Sequence, residues 1–144
     1  MSHLTEDGNG LMTRVLLVDG NSDFLHVAAD FVRRRQELVL VGATEGGEGV
    51  VAQALDLNPQ VILIDLDMPG LTGLEAIPHL RTALPEVGIV ALSLSNGRAY
   101  RQAALAAGAD ELVTKTELIA DLPLAIRRVA RAKRPRPGRD GAVS

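Results

Sequence analysis

Five short apolar segments, separated by five segments of helical spacing, constrain the fold of this chain more than any other feature. The apolar segments consist mainly of valine, leucine and isoleucine, and most of them lack the polar alternation of half-exposed strands. Strands without that alternation are covered on both faces, as in a parallel sheet. The segments predicted to be strands are residues 14–19, 38–43, 61–65, 88–93 and 111–115.

The segments between the predicted strands place apolar side chains three or four residues apart, which predicts amphipathic helices. The stripe of the first helix comprises Phe24, Val27, Ala28, Phe31 and Val32; that of the second comprises Val50, Val51, Ala54 and Leu55; that of the third comprises Leu74, Ile77, Leu80 and Leu84. Two more helices are predicted in "RAYRQAALAAG" and "ELIADLPLAIRRVARA".

Local signals mark where some of these helices begin and end. Asn21 or Ser22 is placed to cap the first helix, and Gly108 is placed to end the fourth. Pro78 falls within the third, which predicts a kink or a late start because proline has no backbone N–H.

Strand–helix units in series predict an α/β fold, namely a doubly wound parallel sheet of five strands. A length of 144 residues suits one domain. We expect residues 13–132 to form it, after a flexible N-terminus at 1–12. Residues 133–144 combine proline, glycine and charge without an apolar pattern, which predicts a disordered basic tail or linker.

Composition excludes several classes of function. The absence of cysteine excludes disulfides and thiolate zinc sites, and the three histidines have no metal-ligand spacing. A net charge of −3 and 2% aromatic residues argue against direct nucleic-acid binding by this domain. No apolar run approaches the roughly 20 residues of a membrane helix, and the N-terminus does not resemble a signal peptide. We expect a cytoplasmic protein without membrane contact.

Four polar side chains stand at the ends of four predicted strands: Asp19, Asp65, Ser93 and Lys115. In doubly wound sheets the ligand crevice lies beyond the carboxyl ends of the strands, so these groups are expected to converge. A carboxylate on a strand end can act as a nucleophile and form an acyl phosphate. Phosphoryl transfer mainly needs positioning and positive charge, which a lysine and Mg²⁺ held by carboxylates supply.

The stretches "RVLLVDG", "VILIDLDMPGLTGLEAI", "IVALS" and "AAGADELVTK" resemble the receiver domain of bacterial two-component response regulators over residues 14–132. The resemblance implies a flavodoxin-like (βα)5 fold in which Asp65 is the phosphoacceptor. It also implies that Ser93 is the switch hydroxyl and that Lys115 pairs with the phosphorylated aspartate. Asp19, Asp65 and position 67, where the family uses the backbone carbonyl of the residue matching Asp67, would hold Mg²⁺.

The chain departs from the family pattern at three positions. Gly20 replaces the second acid of the pair that binds magnesium, so we expect Mg²⁺ affinity to be weakened on the order of 10- to 100-fold or more. Leu112 stands where many receivers have an aromatic residue that moves on activation. Thr116 replaces the proline that often follows the lysine, and a cis peptide without proline costs about 2.5–4 kcal/mol.

The resemblance implies a signalling switch rather than a metabolic enzyme, with at most slow self-phosphorylation and self-dephosphorylation. Its partners would be a sensor histidine kinase or phosphotransfer protein, and a second copy or an output partner docked on the fourth and fifth helices. The chain is expected to be either a stand-alone receiver or a fragment of a longer regulator.

Two other functions compete with this interpretation. A degenerate receiver would use the fold for protein contacts without phosphate, which Gly20 and Leu112 favour. A phosphatase of the haloacid dehalogenase type is suggested by "LIDLDMPGL", but that family carries this motif on its first strand, whereas here it is on the third. Simpler roles also compete: Asp65 could end a strand, Ser93 could serve packing, and Asp23 could complement a helix dipole.

Overall fold

The computed structural model describes residues 12–66, 73–94 and 97–133. Its strands are β1 (Thr13–Val18), β2 (Leu38–Thr44), β3 (Val61–Asp65), β4 (Gly88–Ser93) and β5 (Glu111–Thr114). Its helices are α1 (Ser22–Arg33), α2 (Val50–Leu57), α3 (Gly73–Ala83), α4 (Arg98–Ala107) and α5 (Leu118–Lys133). Residues 1–11 of the predicted flexible N-terminus, 134–144 of the predicted tail, and Asp67 lie outside the described residues.

The strands form one parallel sheet in the order β2-β1-β3-β4-β5. β1 lies second from one edge, beside the edge strand β2, and β3, β4 and β5 follow in order on the other side of β1. The predicted five-stranded, doubly wound sheet is therefore confirmed. Its topological switch point lies between β1 and β3, where folds of this type form their ligand crevice.

Helices cover both faces of the sheet. One core contains residues of α1 and α5, including Val32 and Ile126, packed on Leu17 and Leu63 of the sheet. The other contains residues of α2, α3 and α4 packed on the alternate strand positions, such as Leu16 and Ile62. Burial on both faces explains why the strand sequences are almost continuously apolar.

The predicted strand limits agree with the observed ones to within one residue, whereas two helix stripes were partly wrong. Val27 of α1 is 61% exposed, and Leu55 of α2 is 52% exposed. The buried residues of α1 are Ala28 and Val32, which belong to the predicted stripe, and Ala29, which does not. The side of α1 that faces the sheet is therefore rotated away from Val27.

Helix ends follow the predicted signals at two positions. Asn21 caps α1, because its Oδ1 accepts a hydrogen bond from Phe24 N at 2.9 Å. Gly108 ends α4 with a φ of 124°, a conformation that favours glycine. A late start of α3 was wrong: the helix begins at Gly73 with Pro78 inside it. Pro78 is exposed, so water can hydrogen-bond the Leu74 carbonyl that lacks its helical donor.

Among the residues that the structure describes, no helix has the length and apolar character needed to cross a membrane.

Candidate functional site

An ammonium and two carboxylates meet at the carboxyl edge of the sheet. Asp19 directly follows β1, Asp65 is the last residue of β3, and Lys115 directly follows β5. Lys115 Nζ lies 2.8 Å from Asp19 Oδ2 and 3.3 Å from Asp65 Oδ1. The predicted convergence of these three side chains is observed, and it follows from the parallel direction of the strands that carry them.

All three charged groups are shielded from solvent. Asp19 is fully buried and Asp65 is 4% exposed, while the Lys115 side chain is 10% exposed. Charges removed from water need partners, because desolvation otherwise costs several kcal/mol per ion. Two carboxylates around one ammonium leave a formal excess of negative charge, which suits the pocket to a further cation.

Hydrogen bonds fix both the backbone and the carboxylate of Asp19. Its N–H donates to the Thr44 carbonyl of β2 at 3.0 Å, and its Oδ1 accepts from Asn21 N–H at 2.8 Å. Its Oδ2 makes the ion pair with Lys115 but has no partner of good hydrogen-bond geometry in the described part of the chain. One oxygen is thus fixed by the backbone, and the other is directed to the charged centre of the site.

Lys115 has a third contact that the sequence analysis missed. Its Nζ lies over the ring of Phe24, 4.4 Å from the ring centroid. Phe24 belongs to the first turn of α1, where the helical pattern marked it simply as part of an apolar stripe. Its position shortly after Asp19 was the one available signal, since the first turn of α1 begins beside the end of β1.

Gly73 brings α3 close to the end of β3. A Cβ atom at this position would lie 1.7 Å from the Asp65 carbonyl oxygen, far inside van der Waals contact. Glycine is therefore required where the helix begins against the strand that carries Asp65. In the sequence, Gly73 is the last residue of the segment "DMPGLTG", which follows Leu66.

Ser93 ends β4, beside the charged groups. Asp65 pairs with Leu92 across β3 and β4, so Ser93 is one residue further toward the same edge of the sheet. Ser93 is fully buried.

Asp67, the third predicted metal ligand, lies outside the described residues. Asp23 is exposed in the first turn of α1, a position that complements the helix dipole.

Asp19 and Asp65 form a donor set that fits Mg²⁺. This ion is usually held by one or two carboxylates, together with water and phosphate oxygens, rather than by a complete cage of side chains. The described residues contain no group of three or more acidic, histidine or cysteine side chains arranged to hold a metal. Gly20, which follows Asp19 and is half-buried, has no side chain that could act as a ligand.

A sequence model of the response regulator receiver domain matches residues 15–127, most of the chain. The chain belongs to the response regulator receiver family.

Relatives of this receiver domain include longer regulators. It is 32% identical over 123 residues to "Response regulator GacA" of Pseudomonas viridiflava, a match that covers 85% of this chain and 58% of the relative. The chain spans less than two thirds of the length of the curated relatives that it matches first.

Solved receiver structures have the same fold. The response regulator domain of Thermotoga maritima CheB superposes with a TM-score of 0.77 at 27% identity, covering 83% of this chain and 97% of that one. A two-component response regulator of the LuxR family from Aurantimonas sp. SI85-9A1 gives a TM-score of 0.78 at 27% identity, covering 85% and 88%. These likenesses confirm the predicted flavodoxin-like receiver fold.

Two departures of this receiver domain from the family pattern have visible structural consequences. Leu112 is 5% exposed and packs in the core beneath α4, so an aliphatic residue fills the place of the usual aromatic. Lys115–Glu117 form a 3₁₀ turn, and the described residues contain no cis peptide. The Thr114 hydroxyl donates to Glu117 Oε1 at 2.9 Å, which fastens this turn without proline.

Proposed function

We propose that this receiver domain is a phosphorylation-controlled switch in which Asp65 accepts a phosphoryl group from a phosphohistidine. The donor would be a sensor histidine kinase or a phosphotransfer protein, as for receivers in general. The observation that carries the proposal is the contact of Lys115 Nζ with both buried carboxylates, at 2.8 Å and 3.3 Å. An ordinary surface lysine would instead extend its ammonium into solvent.

In the proposed step a carboxylate oxygen of Asp65 attacks phosphorus. An O–P bond forms while the P–N bond to the donor imidazole breaks, and the imidazole leaves with the electron pair of that bond. Lys115 already lies 3.3 Å from Asp65 Oδ1, so its charge faces the oxygens that the phosphoryl group brings. Catalysis of such transfers consists mainly of positioning and electrostatic stabilisation, which this arrangement supplies.

Asp19 and Asp65 would hold Mg²⁺, together with position 67. When bound, the ion would neutralise charge on the phosphoryl oxygens. Asp19 is well suited to this role because its Oδ1 is fixed by Asn21 N–H, while its Oδ2 is directed to the pocket.

The output of the switch would pass through Ser93. Ser93 is buried at the end of β4, one residue beyond the partner of Asp65 in the sheet, and its hydroxyl would donate to a phosphoryl oxygen on Asp65. Movement of Ser93 would change the packing of α4, β5 and α5. An output partner or a second copy of the domain would dock on α4 and α5. Leu112 lies on this path, since it pairs with Ala91 across β4 and β5. The domain would act as a switch rather than as a metabolic enzyme.

Labelling with acetyl phosphate tests the phosphoacceptor directly. In the presence of saturating Mg²⁺ we expect intact-protein mass spectrometry to show one acid-stable, base-labile phosphoryl adduct on the wild type. Asp65→Asn should abolish the adduct, whereas Asp23→Asn, which removes an exposed carboxylate of α1, should retain it. Absence of the adduct from the wild type would favour a degenerate receiver that binds partners without phosphate, the function that Gly20 supports.

Gly20→Asp tests the metal site. A second carboxylate beside Asp19 should raise Mg²⁺ affinity by about 10- to 100-fold, because it restores a ligand to the incomplete set. Isothermal titration calorimetry measures this without phosphorylation. Asn21→Asp is the matched control, since it adds the same charge at an exposed capping position and keeps a good cap. Equal affinities of Gly20→Asp and the wild type would contradict the assignment of this pocket to Mg²⁺.

A further inference from the structure

A ring of contacts connects the end of β1, the first turn of α1 and Lys115. Asn21 N–H donates to Asp19 Oδ1, and Asn21 Oδ1 accepts from Phe24 N–H. The aromatic ring of Phe24 lies under Lys115 Nζ, and Lys115 Nζ in turn forms an ion pair with Asp19 Oδ2. The backbone of Phe24 is thus linked through Asn21 to the same aspartate that pairs with the ammonium.

The Lys115 ammonium has three N–H groups and three observed neighbours. Two are the carboxylates of Asp19 and Asp65, and the third is the face of the Phe24 ring at 4.4 Å. An aromatic face carries partial negative charge and attracts a cation, most strongly where solvent is excluded. The Lys115 side chain is 10% exposed, so this attraction acts in a largely desolvated site.

An aliphatic side chain could fill the volume of Phe24 but could not attract the ammonium. Without the ring, Lys115 would be drawn toward its shorter contact with Asp19 at 2.8 Å, at the expense of the 3.3 Å contact with Asp65. The charge facing Asp65 would then be misplaced. Displacements on this scale have large effects on reactions that depend on positioning.

We propose that Phe24 is a positioning residue for phosphoryl acceptance, which holds the Lys115 ammonium between the two carboxylates by a cation–π interaction. This role rests on the proposed function of Asp65 as the phosphoacceptor. Phe24 does not touch the reacting atoms; it acts through Lys115.

Fluorinated phenylalanine separates the electrostatic role of the ring from its packing. The chain contains two phenylalanines, Phe24 and Phe31, so a Phe31→Leu background leaves Phe24 as the single labelled residue. Mono-, di- and trifluoro rings progressively lose negative charge on their faces while nearly keeping their shape. We expect the rate of adduct formation with acetyl phosphate to fall at each step, to about three- to tenfold below the unlabelled protein.

The matched control is a Phe24→Leu background in which Phe31 alone is labelled, and there the rate should not depend on fluorination. Phe24→Leu itself should slow adduct formation by a similar factor, and Phe24→Tyr should restore it because tyrosine keeps the aromatic face. Denaturation midpoints of the fluorinated proteins should be unchanged across the series, which distinguishes positioning from stability.

The outcomes that would overturn the role of Phe24 are distinguishable from one another. A Phe31→Leu protein that forms the adduct at a rate independent of the fluorination of Phe24 overturns the cation–π role and leaves the proposed function intact. A wild type that forms no adduct overturns the proposed function, and the role of Phe24 falls with it. A ¹⁹F resonance of labelled Phe24 that does not shift in Lys115→Met would also contradict the contact.

Discussion

At the scale of single residues, Gly73 sets how closely α3 can approach the strand that carries Asp65. In Gly73→Ala the new methyl group would meet the Asp65 carbonyl oxygen at 1.7 Å, so backbone must move. We expect a loss of about 1–3 kcal/mol in the free energy of unfolding, as for overpacking in general. Adduct formation on Asp65 should slow as well, because the displaced backbone carries the reacting carboxylate.

Urea denaturation and acetyl phosphate labelling measure these two effects. Gly49→Ala is the control, since a Cβ at Gly49 meets nothing within 4 Å. Its unfolding free energy should stay within about 1 kcal/mol of the wild type. Similar losses in both variants would contradict a specific role for the approach of Gly73 to Asp65.

Glu37 gives the molecule a small dependence of stability on pH. Burial by itself raises the pKa of this carboxyl, but hydrogen bonds from Arg35 and from its own backbone, with the charges of Arg35 and Arg127, hold the pKa below its usual value of 4.5. A carboxyl with a depressed folded-state pKa contributes stability above its unfolded pKa. That contribution is lost as the pH falls through the folded pKa.

Glu37→Gln should therefore be less stable than the wild type at neutral pH, and the difference should shrink as the pH falls below about 4.5. The effect should not exceed about 1 kcal/mol, because the Arg35 and Glu37 side chains are 36% and 37% exposed and solvent screens the pair. Thermal denaturation across pH 3–7 measures the difference. A difference in stability between Glu37→Gln and the wild type that grows as the pH falls would contradict the assigned direction of the pKa shift.

At the scale of secondary-structure elements, the sequence predicted the limits of the strands better than the orientation of the helices about their axes. All five strands were placed within one residue because each is a short apolar run with clear limits in the sequence. A helical stripe is a weaker guide, since it leaves the rotation of the helix about its axis uncertain. In α1 the buried Ala28 and Ala29 face the sheet, and Val27 lies in solvent.

The cap of α1 is the element-scale feature with the clearest energetic consequence. Asn21→Ala removes the Oδ1 acceptor of Phe24 N–H and should lower the free energy of unfolding by about 1 kcal/mol. Asn21→Ser keeps an acceptor at the cap and should retain most of that stability. Chemical denaturation compares the two variants, and an equal loss in both would show that the side-chain cap is not the source of the effect.

At the scale of the whole molecule, the topology explains which parts of the site could be predicted. Parallel strands deliver Asp19, Asp65 and Lys115 to one edge of the sheet, so chain order and strand ends were sufficient to bring them together. Phe24 could not be identified in this way. Its contact with Lys115 depends on how α1 packs against the sheet, and its apolar character has a sufficient explanation in the core.

Asp19 and Asp65 place two negative charges at one buried edge of the sheet. The stability of the molecule should therefore depend on the Lys115 ammonium between them. Lys115→Met would leave the Asp19 and Asp65 carboxylates buried side by side without their shared cation. Removing one partner of a buried ion pair typically costs about 3–5 kcal/mol, because the remaining charge is desolvated and uncompensated. We expect a loss of that size in the free energy of unfolding.

Arg128→Met is the matched control for loss of a cation, because Arg128 pairs with Glu111 on the surface and its side chain is 59% exposed. That variant should lose less than about 1 kcal/mol. Adding Asp19→Asn and Asp65→Asn to Lys115→Met should recover most of the lost stability, since neutral amides tolerate burial without the ammonium. Urea denaturation measures all three proteins. A loss in Lys115→Met no larger than in Arg128→Met would mean that the buried carboxylates do not depend on Lys115, contrary to the geometry of the site.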